Sequence, residues 1–304
     1  MSKRSEVVLI TGASGLVGSN LVPQLKQLGF ELRHLSYSAT EIEGSKLYQW
    51  DPVHGKIDTE ALQGVDYIIH LAGAGIADKA WTSARKQLII DSRVKSSQLL
   101  LETCKSINHF PKKMISSSAI GIYTHNENVS GNVENALYGK GFLAESCIEW
   151  ENAIKEWADY CGLAMIRTGV VLDREGGALA EMLKQFKQGA TLVLGNGKQR
   201  LSWIHKDDLI AVYTNALLKD WEGPINAVAA NPETLQEFSL KLALILDKGL
   251  FPFKVPAFLL RLAIGERADL LLADNYVIPG FLQKKKFKFK YPKLKPALQD
   301  LIIG

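Results

Sequence analysis

Over the first half of the chain, short unbroken apolar runs alternate with longer stretches whose apolar residues fall at helical spacing. "VVLITG" (7–12) is apolar on both sides of a pleat, which predicts a strand buried on both faces. Residues 15–28 carry apolar positions at helical spacing and stop at Gly29, which predicts a helix. Pro23 is a misfit there, because it lacks a backbone donor and should kink the helix. "ELRHLS" (31–36), "VDYIIHLAG" (65–73), "KKMISSSAI" (112–120) and "LAMIRTGVVL" (163–172) read as further strands. Helical patterns fill 82–107 and 142–161. Such alternation predicts an α/β fold, a Rossmann-type doubly wound parallel sheet covered on both faces.

Beyond residue 173 the pattern loosens. "GNGK" (195–198) is a turn-rich loop, and "WIHKDDLIAVYTNALL" begins as a strand and becomes a helix that Asp207 and Asp208 are placed to cap. From "FPFKVPAF" onward the chain carries prolines and a leucine-rich helix (258–273). It also carries "KKKFKFKYPKLK", in which Phe287, Phe289 and Tyr291 alternate with lysines. Period two predicts an edge strand with rings inward and lysines outward. An anionic-ligand or nucleic-acid surface is the other reading of that segment. The division expected is a dinucleotide-binding domain over 1–235, with substrate-side segments at 174–206, and a smaller C-terminal substrate subdomain over 250–304.

Charge and cysteine usage narrow the class. The net charge of +4 is local: seven lysines lie between Lys284 and Lys295, and without them the chain is mildly acidic. That argues against nucleic acid as a partner. No apolar run is long enough to span a bilayer, and the first residues show no secretory pattern. Cys104, Cys147 and Cys161 form no C-x-x-C, which fits buried thiols in a reducing cytoplasm and gives no metal-ligand spacing.

The chemistry begins at "ITGASGLVGSNL". Gly12, Gly15 and Gly18 stand between a strand and a helix: the first for a tight turn, the second for backbone approach to a pyrophosphate, the third for close helix–sheet packing. Ser14, Leu16 and Val17 complete a turn whose free N–H groups and dipole suit phosphate. The second strand ends in "RHLSYS", without the acid that an NAD ribose favours; Arg33, Ser36 and Ser38 suit a 2′-phosphate, so NADP is expected over NAD. Leu71, Ala72 and Gly73 are small enough to let backbone lie against the nicotinamide ribose, beside a packed His70. "SSSAIGIY" (116–123) ends the next strand at the sheet's carboxyl edge, where ligands bind.

These segments together, with "TGASGLVG", "DYIIHLAG", "RTGVVL" and "WIHKDDL" in order, resemble the extended short-chain dehydrogenase/reductase family over the whole chain. Within it they are most similar to the sugar-nucleotide epimerase-like, cell-division-inhibitor-like subgroup. The resemblance implies the fold, a bound NADP and a small-molecule carbonyl or sugar-nucleotide substrate. A homodimer is the partner expected. It adds Ser116 and Arg167 to the cofactor side and makes Ser118 the family serine. The family pairs a Tyr with a Lys four residues on, so that the ammonium lowers the phenol's pKa. Here the motif falls on Phe142 or Leu143, with Ser146 or Cys147 at the lysine position. Tyr138 and Lys140 stand two apart, on different helix faces if helical. Tyr123, Glu145 and Cys147 are the replacement acids proposed. Arg93 stands where the family places a relay asparagine and is put on the cofactor side; Trp81, Lys86 near the same helix face, Arg200, Trp203 and His205 are placed on the substrate side. Two functions stay open: an NADP-dependent oxidoreductase or epimerase with a replaced acid, and a non-catalytic NADP(H) sensor.

Overall fold

The computed structural model describes residues 5–124, 131–187, 192–248 and 253–304. Phe251 and Pro252, at the head of the proline-bearing stretch, and the first four residues, on which the leader reading rests in part, lie outside the described residues.

The strands of the main sheet are β1 (Val7–Thr11), β2 (Glu31–Ser36), β3 (Lys46–Asp51), β4 (Lys56–Ile57), β5 (Tyr67–His70), β6 (Lys113–Ala119) and β7 (Gly162–Thr168), with Gly223–Ala227 at one edge. Their order is Gly223–Ala227, β7, β6, β5, β1, β2, β3, β4, parallel throughout except where β4 turns back on β3. β1 is buried at all five positions, as its unbroken apolar run requires. The helices are α1 (Leu16–Gln27), α2 (Ser83–Ser106), α3 (Phe142–Lys155), α4 (Gly177–Lys187), α5 (Lys206–Leu218), α6 (Leu235–Ile245), α7 (Ala257–Ile264), α8 (Asp269–Leu272), α9 (Gly280–Lys284) and α10 (Leu294–Ile303). One apolar cluster lies where α1, α5 and α9 cover one face of the sheet, and a second where α2 and α3 cover the other.

Several expectations change. The helix α1 runs through Pro23 without a break. The 163–172 run is two strands: at Gly169 the chain leaves the main sheet, and Val170–Leu172 pairs with Trp203–His205. A side chain at Gly169 would meet Ser202 O at 2.5 Å, so only glycine permits that crossing. The leucine-rich helix stops at Gly265, whose positive φ ends α7, and resumes only as the short α8. The lysine-rich segment is no strand. α9 ends at Lys284, the chain runs irregularly to Lys293, and α10 follows. The alternation still sorts the side chains, for Phe287 and Phe289 pack on the first cluster while Lys288 and Lys290 face solvent. Asp208 holds this strap by accepting from Lys290 N at 2.6 Å and Tyr291 N at 3.0 Å. The cap of α5 is His205 instead, whose Nδ1 accepts from Asp207 N at 3.1 Å.

Candidate functional site

The glycine turn at the end of β1 has the shape a pyrophosphate needs. Gly12 has φ +70°, and a Cβ there would press on the Leu71–Ala72 backbone at 3.0 Å. A Cβ on Gly18 would meet Gly12 O at 2.5 Å, so α1 lies against the turn only because Gly18 has none. Gly15 caps α1 with no side chain among the described residues bonding its first N–H groups, and the first turn holds no acid. The positive end of the helix dipole is therefore left to an anion. Ser14 is exposed beside it, and Leu16 and Val17 are half-buried. A concave surface runs from Ala13 and Ser14 along α1 to Lys26, Ile42 and Glu43.

A buried hydrogen-bond chain fixes the next loop. Thr11 Oγ1 accepts from Leu71 N and Ala72 N, each at 3.1 Å, so its proton goes to His70 Nδ1 at 2.7 Å. His70 Nε2 is then the protonated nitrogen, donating to Ser96 Oγ at 3.1 Å, and Ser96 donates to Arg93 O at 3.0 Å. Burial, with the Arg93 charge added, drives the His70 pKa down to about 3, so the ring stays neutral. It holds the "LAG" backbone beside the turn.

At the adenosine end the expectation divides. Ser36 Oγ accepts from Thr40 N at 3.4 Å, and Ser38 Oγ pairs with Thr40 Oγ1 at 2.8 Å, leaving a hydroxyl-rich, exposed turn after β2. Arg33 is turned away from it: Nη1 donates to the carbonyls of Glu60, Ala61 and Gln63.

The serine strand, α3 and β7 meet in a closed polar network. Ser118 Oγ donates to Glu151 Oε1 at 2.7 Å, and Arg167 clamps both oxygens of Glu151 at 2.7 Å. Arg167 Nη1 also donates to Tyr123 Oη at 2.6 Å and Glu134 O at 2.8 Å; Tyr123 Oη donates to Asn226 Oδ1 at 3.0 Å. All five side chains are buried. Arg167 is thus built into the interior and does not face the glycine turn. Burial pushes the Tyr123 phenol up to about 12, despite the Arg167 charge. Tyr138 lies over the Arg167 guanidinium at 5.6 Å, and Lys140 is exposed, so these two form no pair of their own. Ser116 is buried and donates to Ser117 O at 3.0 Å.

Where the family's Tyr and Lys would stand, Leu143, Ser146 and Cys147 are buried. Burial raises the Cys147 thiol to about 11, with the Arg93 charge opposing it. Glu145 sits on the exposed face of α3. Phe142 meets Trp81 edge to face at 4.8 Å, and Lys86 Nζ lies 5.2 Å over the same ring. Arg93 lies 4.8 Å over Trp150 and so close to the loop that a Cβ on Gly73 would stand 3.0 Å from its Cζ. Trp81, Lys86, Arg93, Cys147 and Phe142 therefore gather where the sequence placed the nicotinamide side. Arg200 is bound to Asp274 at 2.6 Å and stacks on Tyr276 at 4.7 Å. Two substrate-side expectations are corrected. Trp203 is fully buried, and His205 is buried under Tyr291 at 3.9 Å with Asp300 at 3.3 Å, in the core that joins the C-terminal segment.

Sequence reasoning missed Glu151, Glu134 and Asn226. Signals existed for the first: Glu151 is a lone acid on the apolar stripe of α3, and Arg167 a lone cation in an apolar strand. Two isolated opposite charges on buried elements call for each other.

A doubly wound sheet whose glycine turn opens an uncapped helix at its carboxyl edge defines a dinucleotide-binding Rossmann protein of the extended short-chain dehydrogenase/reductase type. The chain belongs to the NAD dependent epimerase/dehydratase family, whose model matches residues 8–228; a domain of unknown function (DUF1731) matches 255–301. An epimerase family protein of Mycobacterium bovis is 32% identical over 296 residues, 96% of each chain. The chloroplastic epimerase family protein SDR39U1 homolog of Arabidopsis thaliana is 33% identical over 97% of this chain and 86% of its own. The crystal structure of human epimerase family protein SDR39U1 with NADPH has a TM-score of 0.86 at 26% identity, covering 98% of this chain and 99% of that one.

Proposed function

We propose that this chain is an NADP(H)-dependent oxidoreductase or epimerase-like enzyme acting on a carbonyl compound or sugar nucleotide. The observation that carries the reading is the glycine cradle against the uncapped start of α1, joined to the Thr11–His70–Ser96 chain that fixes the neighbouring loop. The NADPH in the human relative's crystal structure supports the cofactor, and the acid-free hydroxyl turn after β2 supports the 2′-phosphate. Bound nicotinamide supplies or accepts the hydride. In this reading Ser36 and Ser38 meet the 2′-phosphate, and residues 12–18 hold the pyrophosphate. Leu71 to Gly73 flank the ribose, and Phe142 and Trp81 wall the reacting end. Ser118 and Tyr123 act by positioning, because their hydroxyls are engaged inside the network. Arg93, the cation nearest Gly73, polarises the substrate oxygen in place of the missing phenol. Three free cysteines suit a reducing compartment such as the cytoplasm.

The test is fluorescence titration with NADPH and NADH, followed by turnover against carbonyl compounds and UDP-sugars. NADPH is expected to bind about tenfold or more tighter than NADH. Gly18→Ala should abolish binding, and Arg93→Gln should reduce turnover about 100-fold. Equal or tighter NADH binding rejects the cofactor assignment. A second reading, a non-catalytic NADP(H) sensor, is favoured by the closed Ser118–Glu151–Arg167–Tyr123 network; tight NADPH binding without any hydride transfer would select it.

A further inference from the structure

Four successive carbonyls of the loop after β5 are each taken by a different side chain. Arg93 Nη1 donates to Ala74 O at 3.1 Å, and Arg85 Nη2 donates to Gly75 O. Trp81 Nε1 donates to Ile76 O at 2.8 Å, and Arg267 Nη1 to Ala77 O at 3.1 Å. Ala74 N is held in turn by Ser92 Oγ at 2.9 Å. The loop is therefore rigid, and it gathers three guanidinium groups from two parts of the chain: Arg85 and Arg93 from α2, and Arg267 from the turn between α7 and α8.

Three cations on one run of four successive carbonyls need a reason. Loop fixation alone does not require them, since neutral amides or hydroxyls could donate to the same carbonyls without mutual repulsion. The acids nearby do not balance them. Asp78 lies 3.8 Å from Arg85 and is largely exposed, while Glu266 is engaged by Lys86. Burial first disfavours the protonated form of Arg93; Cys147 opposes that shift, and the charge of Arg85 adds to it. The Nε atoms of Arg85 and Arg267 are buried and take no hydrogen-bond partner among the described residues. Two guanidinium groups that reach one loop, each with a buried donor left over and in excess of the nearby acids, suit an oxyanion.

We infer that Arg85 and Arg267, with Arg93 behind them, form an oxyanion site that grips a carboxylate or phosphate of the substrate. This deepens the proposed function, on which it rests for the location of the reacting end. The substrate is thereby an anionic carbonyl compound or sugar derivative whose charged group sits close to the reacting carbon. Arg267 comes from the C-terminal segment, so the anion would also tie that segment to the loop of the dinucleotide-binding part.

The test is calorimetric titration of the NADPH-loaded chain with oxalate and, separately, inorganic phosphate; the cofactor's own phosphates are then already accommodated. Arg85→Gln and Arg267→Gln are each expected to weaken binding of the preferred anion about tenfold or more. Arg85→Lys, which keeps charge but loses the fork, should fall between. Oxalate binding without phosphate binding assigns a carboxylate, and the reverse a phosphate. No saturable binding of either anion, or binding unchanged in both glutamine variants while thermal unfolding shows them folded, overturns the site. The same titrations on the cofactor-free chain separate the two readings. Anion binding that depends on Arg85, in a chain that fails to bind NADPH, would leave this site standing and reject the cofactor.

Discussion

Arg167 holds Glu151 by two hydrogen bonds of 2.7 Å, Nε to Oε1 and Nη2 to Oε2, with neither side chain reaching solvent. The pair links β7 to α3, and through Ser118 it also pins the end of β6. Burying two ions is costly, and the balance holds only while both are present and their remaining bonds are made. Glu151→Gln leaves the buried guanidinium without its counter-charge and takes away one of its four acceptors. Urea unfolding is expected to show a loss of about 3–5 kcal/mol, with a smaller loss in a Glu151→Leu, Arg167→Met double variant that removes both charges.

Tyr123 directly follows the serine strand in the chain, yet its hydroxyl sits between Arg167 and Asn226 inside the same network. With the pKa pushed up to about 12 by burial, it holds its proton at neutral pH. Tyr123→Phe strands Asn226 Oδ1 and should cost about 1–3 kcal/mol of stability. The NADPH dissociation constant should stay within about twofold of the parent. A 100-fold fall in turnover at unchanged stability would return Tyr123 to the role of proton donor.

His70 sets a pH limit on the fold. Its pKa is about 3 in the folded chain and about 6.5 when unfolded, so between those values the unfolded chain binds a proton that the folded chain refuses. Stability attributable to this residue is therefore fully present above pH ~6.5 and is lost as pH falls toward ~3. From pH ~7.5 to pH ~5 the loss is about 2 kcal/mol. Denaturant midpoints measured across that range should fall less steeply in His70→Gln, which cannot titrate. Equal slopes in the two chains would show that His70 is accessible to protons in the fold.

The dinucleotide half was legible because its signals are local. An apolar run, three glycines at fixed spacing and an amphipathic helix follow one another in the chain and in space. The same locality located the "LAG" loop and put the missing motif at Phe142 or Leu143, with Ser146 or Cys147 four residues on. What failed was long-range. Arg33 looks like a phosphate ligand in "RHLS" until the carbonyls near residue 60 fold over it. His205 looks like a substrate-side residue in "WIHKDD", but Tyr291 and Asp300, distant in sequence, bury it. The aromatic–lysine alternation gave the right faces and the wrong element, because side chains can alternate along an irregular strap pinned by Asp208 as well as along a strand.

That pinning gives the last expectation. Asp208 is buried on α5 and accepts two backbone N–H bonds from Lys290 and Tyr291, while Asp207 binds Lys290 Nζ at 2.8 Å on the surface. The surface pair is worth little, since exposed ion pairs contribute at most about 1 kcal/mol. The buried carboxylate is the anchor. Burial, with the Asp207 charge added, raises its pKa, and the two N–H bonds oppose that shift, so the charged form depends on the strap being in place. Asp208→Asn keeps the shape but loses the charge and one acceptor, leaving a strap N–H without a partner. The cost should be about 1–3 kcal/mol, concentrated on local release of residues 285–293. Those residues include exposed lysines, so native-state trypsin cleavage after Lys286 and Lys288 should speed up about tenfold, while Asp207→Asn leaves it nearly unchanged. Equal acceleration in both variants would shift the anchor to the surface pair.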